Sequence, residues 1–174
     1  ASAPGCGQEA LCVTGASRER GPRGAGAFEL DDRGHDAESV PSESFESVVA
    51  YVVEASLKDG QPVLHRVTAG VHCNLVINPR TVEAQVQGAA LMGLSMCLPG
   101  AQITLKDGVV EQSNFGDFVV PRITEMPRIE VHTVPSADPP TGMGEPGLPP
   151  LAPAFANAIA QLTGKPVRQL PLTT

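Results

Sequence analysis

Aromatic side chains are scarce in this sequence. They make up 3% of its 174 residues, with five Phe, one Tyr and no Trp. Any core must therefore be built from Val, Leu, Ile and Ala, and the 41% hydrophobic content keeps the chain near the globular range. Positive charge is also short: 12 Lys and Arg stand against 19 Asp and Glu, for a formal net charge of −7. A nucleic-acid surface needs clustered Lys and Arg, and this balance argues against one. No apolar run approaches the roughly 20 residues that span a bilayer, and no charged-then-apolar leader opens the sequence. Cys6, Cys12, Cys73 and Cys97 form no C-x-x-C pair and no zinc knuckle, so they read as scattered reduced thiols. The length suits one domain of ordinary size.

The composition changes near residue 45. Residues 1–44 are rich in Gly, Arg and acids, with isolated apolar residues and no sustained period. Such a stretch buries too little surface to offset its ordering entropy and reads as coil. Within it, G-P-R-G-A-G (21–26) is only a weak likeness to a phosphate loop. No strand precedes it and no Lys-Ser/Thr follows.

Beyond residue 45 the text is patterned. S-V-V-A-Y-V-V-E-A-S (47–56) is apolar on both alternations, which suits a strand covered on both faces. Lys58-Asp59-Gly60 signals a turn, and P-V-L-H-R-V-T-A-G-V (62–71) reads as the partner strand. The pattern recurs in I-T-L (103–105), Lys106-Asp107-Gly108 and V-V-E-Q (109–112). I-E-V-H-T-V (129–134) is a further strand. A helix begins at Asn78-Pro79, a capping side chain before a proline at the first helical position. Its stripe is Val82, Val86, Ala90, Gly93 and Cys97. Gly88, Ala89 and Gly93 would allow another backbone or a ligand to come very close. A second helix carries Leu151, Phe155, Ile159 and Leu162, with Pro150 and Pro153 in its first turn and Gly164 as its left-handed stop. The expected fold is α+β, a mixed sheet with two β-hairpins and two packed helices.

Three places could carry chemistry. Glu145 sits between Gly144 and Pro146, just before the second helix. Pro146 biases it toward extended backbone, and Pro149-Pro150 stiffen the approach to the helix. A solvated loop acid and an acid aimed at a target both fit these facts; dry surroundings would make it a usable base. Gln85 projects from the Gly- and Ala-rich helix, and its amide could meet a heterocycle edge or simply face water. His72-Cys73-Asn74 places a His beside a Cys, but no second Cys or carboxylate stands at ligand spacing. Ser44, Ser47, Ser95 and Ser113 lie in no nucleophile-elbow setting.

Three separated segments, in order, resemble the C-terminal end of the molybdenum-binding large subunit of the xanthine oxidase family. They are V-H-C-N-L-V-I-N-P-R-T-V-E-A-Q-V-Q-G-A-A-L-M-G-L-S (71–95), K-D-G-V-V-E-Q-S-N-F-G-D-F (106–118) and G-M-G-E-P-G-L-P-P-L-A-P-A-F-A-N-A-I (142–159). The likeness is greatest to the bacterial isoquinoline 1-oxidoreductase beta subunit and its aldehyde-oxidising relatives. It covers about residues 43–172, including G-K-P-V-R-Q-L-P-L (164–172). Asn74 stands where that family usually has Gly, and Thr141 and Gly116 also depart from its commonest pattern.

The resemblance implies part of a molybdopterin-binding domain, with residues 1–44 outside the likeness. It implies hydroxylation of an aldehyde or an N-heteroaromatic carbon, using oxygen from water, at a molybdenum–molybdopterin centre that can take the cytosine dinucleotide form. Glu145 would be the catalytic base. Gln85, Gly142 and Gly144 would lie at the cofactor, and no side chain would ligate the metal. The implied partners are the remainder of the large subunit, a small [2Fe-2S] subunit and a cytochrome c. The family's subunit is several times longer than this chain, so the chain reads as a piece of it. The alternative is a fragment of that family that binds no cofactor alone. The compartment is left open between cytoplasm and periplasm.

Overall fold

The computed structural model describes residues 11–15, 42–44 and 46–172. Two long strands, β3 (Ser47–Lys58) and β4 (Gln61–His72), form its centre, after two short ones, β1 (Leu11–Gly15) and β2 (Ser42–Ser44). Helix α1 (Pro79–Cys97) follows, then a small hairpin of β5 (Leu105–Lys106) and β6 (Val109–Val110). Two 3-10 turns, β7 (Arg128–Thr133) and helix α2 (Leu151–Thr163) complete the order.

β3 and β4 pair antiparallel through a tight turn in which Asp59 and Gly60 take φ of 52° and 76°. Positive φ at both central positions matches the strands' own twist, which is why Asp-Gly sits there. β4 then pairs β7 in parallel, so the sheet is mixed, as expected from the strand and helix pattern. The parallel pairing needs a long crossover, and residues 73–127 supply it with α1 and the small hairpin.

On β3, the odd-numbered residues from Ser47 to Ala55 are buried and the even-numbered ones are half-buried. Val49, Tyr51, Val53 and Ala55 join Val67, Ala69 and Val71 in the core. Val86, Ala90 and Leu94 of α1 and Leu151, Phe155 and Ile159 of α2 close it from above. Each of the larger apolar side chains contributes about 1.5–3 kcal/mol through burial. The expectation of a strand covered on both faces is therefore corrected. Both helices lie on one face, and Val48, Ala50 and Val52 on the other are only half-covered by the described residues.

Further differences concern edges and ends. β1 and β2 lie within the segment read as coil, yet both pair antiparallel with β3, end to end along its free edge. Their short apolar content gave no local signal; the edge of β3 fixes them by supplying ladder partners, far along the chain for β1 and immediately after a tight turn for β2. The weak phosphate-loop segment (21–26) lies outside the described residues. The second hairpin is shorter than expected, with two residues per strand, although Glu111 N–H still donates to Thr104 O at 3.0 Å. Asp107 and Gly108 repeat the positive φ of the first turn.

The helix ends follow their sequence signals. The Asn78 side chain accepts from the Arg80 and Thr81 amides, and Gly164 stops α2 at φ 69°. The buried stripe of α1 also takes in Leu94 and Ser95, while Val82 is half-buried.

Candidate active site

The site grows out of the connection between β7 and α2. Val134 N–H donates to Val71 O at 2.7 Å, and Leu75 N–H to Asp138 O at 3.0 Å, so the chain after β7 keeps company with the end of β4. Thr141 N–H then donates to Cys73 O at 3.2 Å. Asn74, one residue on, takes φ 60°. That left-handed conformation suits glycine and is one asparagine tolerates.

From Thr141 the backbone rises to Glu145 and descends into α2. Gly142, Gly144 and Glu145 are exposed, while Pro146, Gly147 and Pro150 are buried. The acid thus stands on a buried foot. Leu148 N–H donates to Glu145 O at 2.9 Å and closes a turn beneath it. Two side chains from β3 reach the same loop. Ser47 Oγ–H donates to Gly142 O at 2.6 Å, and Tyr51 Oη–H donates to Gly147 O at 2.7 Å. Because the single Ser47 proton goes to Gly142 O, the Thr141 hydroxyl must donate to Ser47 Oγ across their 2.8 Å contact. Burial pushes the Tyr51 phenol well above its ordinary value, which keeps the donor protonated.

Helix α1 lies against the loop through its small residues. A Cβ on Gly147 would meet Ala89 Cβ and Tyr51 Oη at 3.0 Å, and one on Gly93 would meet Leu151 Cβ and Cδ2 at 3.0 Å. The close approach expected of Ala89 and Gly93 is thus used by the loop and the start of α2. Gly88 is different: it is exposed, and nothing lies within 4 Å of its would-be Cβ. Open space surrounds that position, so close packing is not its role.

Gln85 is also exposed, and its amide nitrogen stands 3.9 Å from where a Gly144 Cβ would be. The fold therefore brings Gln85, Gly144 and Glu145 to one surface, from positions 60 residues apart in the chain (145 − 85). Neither the Gln85 amide nor the Glu145 carboxylate has a hydrogen-bond partner among the described residues. The dry surroundings that would sharpen Glu145 as a base are not supplied by those residues. Gly142 is exposed on the same loop, with its carbonyl turned inward to the buried Ser47.

Among the described residues, the His72-Cys73 pair builds no metal centre, and no group of three His, Cys, Asp or Glu could hold an ion. Burial raises the thiol values of Cys73 and Cys97, the latter to about 12, so both remain neutral packing groups. Sequence reasoning missed Ser47 and Tyr51 as loop partners, and considered Ser47 only as a nucleophile. A signal was present: two hydroxyl residues four apart, in phase with the buried face of an otherwise apolar strand.

With this geometry in view, the comparisons with known proteins are direct. The chain belongs to the molybdopterin cofactor-binding domain family, whose model matches residues 11–127. The match begins inside the segment read from composition as coil and ends before the Glu145 loop. The beta subunit of isoquinoline 1-oxidoreductase of Brevundimonas diminuta is 34% identical over 126 residues, covering 71% of this chain and 16% of that protein. The aldehyde oxidoreductase molybdenum-binding subunit of Escherichia coli is 30% identical over 122 residues, 66% of this chain and 16% of that one. The reconstituted CO dehydrogenase of Oligotropha carboxidovorans superposes with a TM-score of 0.60 at 25% identity, covering 68% of this chain and 16% of that one. The chain thus spans about a sixth of the length of these relatives. Among the described residues, no helix is long and apolar enough to cross a membrane.

Proposed function

We propose that this chain forms the acid-bearing part of a molybdenum hydroxylase large subunit. One observation carries the reading: Glu145 stands exposed on a backbone-fixed loop, beside the Gln85 amide, which has no hydrogen-bond partner among the described residues, and the bare backbone of Gly144. A pterin suits these groups. An exposed amide with donors and an acceptor can match a heterocycle edge, and glycine lets a flat ring system approach the main chain. When bound, a molybdenum–molybdopterin centre supplies the redox capacity to hydroxylate a carbon with oxygen drawn from water. Gln85, Gly142 and Gly144 would hold it, and Glu145 would take the proton at its carboxylate.

The substrate class is an aldehyde or an N-heteroaromatic, in keeping with the relatives' names. The cytosine dinucleotide form of the cofactor belongs to the same proposal. So do the partners: the remainder of the large subunit, a small [2Fe-2S] subunit and a cytochrome c. The short coverage of the relatives supports the first of these. It also supports a second reading for the chain on its own, as a fragment that holds no cofactor until joined by that remainder.

The test is reconstitution with the remaining part of the subunit. Molybdenum should be retained by the complex and not by the chain alone. Glu145→Gln should lower turnover by more than about a hundredfold, in line with loss of a general base, while metal content stays the same. Normal turnover in Glu145→Gln would remove the proposed role, and metal retained by the isolated chain would remove the fragment reading.

A further inference from the structure

We infer that Ser47 and Tyr51 are a pair of positioning residues that set where Glu145 stands; the inference rests on the reading of Glu145 as the base. Both side chains are fully buried and leave the same face of β3, four residues apart. Each gives its one proton to a loop carbonyl, Ser47 to Gly142 and Tyr51 to Gly147, so that Glu145 lies between two fixed points. Another buried hydroxyl, on Ser95, gives its proton to Leu91 O in its own helix. The contrast marks the β3 pair: an apolar core needs no hydroxyl at either place, and both leave their own strand for the loop.

The clamp is reinforced from each side. Thr141 donates its hydroxyl to Ser47 and its amide to Cys73 O, fixing the rising limb. Gly147 is wedged between Ala89 and Tyr51, fixing the descending limb. The bonds of Ser47 and Tyr51 go to main-chain carbonyls on either side of the acid. Removing either hydroxyl leaves a carbonyl without its donor, and loss of a buried bond lets the segment open far more often.

The test compares Tyr51→Phe and Ser47→Ala with the unaltered chain by amide hydrogen exchange, which needs no cofactor. Exchange at Thr141 and Leu148, whose amides donate to Cys73 O and Glu145 O at the two ends of the loop, should quicken about tenfold, the ratio expected from leaving a buried acceptor unpaired. Amides of α1 and α2 should change less than about twofold. Ser47→Thr, which keeps the hydroxyl, should restore slow exchange. In the molybdenum-loaded complex, Tyr51→Phe should lower kcat with KM little changed and should displace the acid limb of the pH–rate profile. Unchanged loop exchange would overturn the inference, as would a rise spread evenly over both helices. Exchange alone decides the clamp, whereas turnover of Glu145→Gln decides the reading on which it rests.

Discussion

Two regions of this chain are ordered in opposite ways. The Glu145 loop has a buried foot, bonds to distant strands and a helix laid against its glycines. The arm from residue 100 to 125 is almost all surface. Ile103, Leu105 and Val109 are more than half exposed, and Phe115 is fully exposed at 100%. The arm is held by bonds to itself. The Asp117 carboxylate accepts from the Ser113 and Asn114 amides, Glu125 accepts from the Arg122 amide, and Gln112 and Glu111 grip Thr104. Val119 N–H to Gly100 O ties its base. A segment can therefore be ordered without being buried, and only the buried one can transmit a displacement from the core to a functional group.

Two phenylalanines give the largest contrast. Phe155 is fully buried under α2, and Phe155→Ala should cost about 3–5 kcal/mol in denaturant unfolding. A cost below about 1 kcal/mol would mean that α2 does not close this core. Next comes the loop's foot. A methyl group at residue 147 would sit 3.0 Å from both Ala89 and Tyr51, so Gly147→Ala should cost about 1–3 kcal/mol. It should also weaken the Tyr51 bond, visible as a rise in phenol exchange or a shift in Tyr ultraviolet absorbance. The same substitution at Gly88, where nothing is near, should be neutral or slightly stabilising.

In the arm the expected effects are local. Hydrogen bonds from the Ser113 and Asn114 amides hold the Asp117 carboxyl below its ordinary range. Its folded value lies under its unfolded one. The stabilisation is therefore complete above the ordinary carboxylate range and is lost as pH falls through the lowered folded value. An acid titration of the Ser113 and Asn114 amide signals should show that step, and Asp117→Asn should abolish it. A step that survives in Asp117→Asn belongs to another group. The smallest effect is at the arm's tip: Phe115→Ala should change the stability of the chain by no more than about 0.5 kcal/mol.

The same contrast explains what was legible in the sequence. Asn78-Pro79, Asp59-Gly60, Asp107-Gly108 and Gly164 act within a few residues of themselves, so their roles could be read directly and the structure agrees. The stripes of α1 and α2 were legible because helical spacing is local. β1 was not, because its partner edge lies some forty residues away (55 − 11 = 44), and β2 was not, because S-E-S is too short and polar to signal a strand even though it pairs with the residues just after it. The one-sided cover of β3 was missed for a related reason, since an apolar alternation does not say where the helices will lie. At the site, Glu145 and Gln85 could be singled out by type and setting, but their adjacency could not. Ser47 and Tyr51 were hidden among strand residues, where a hydroxyl acquires meaning only once a loop from nearly a hundred positions later arrives above it.

The carbonyl acceptors at Gly142 and Gly147 have one more consequence. Every amino acid presents the same carbonyl, so the stretch between the two anchors is counted rather than recognised. Replacing Met143 leaves that count intact and the anchors in step. Inserting or deleting a single residue between positions 142 and 147 does not, because one anchor must then be abandoned or the acid must swing away. Over many generations the segment would tolerate changes of letter far more readily than changes of length.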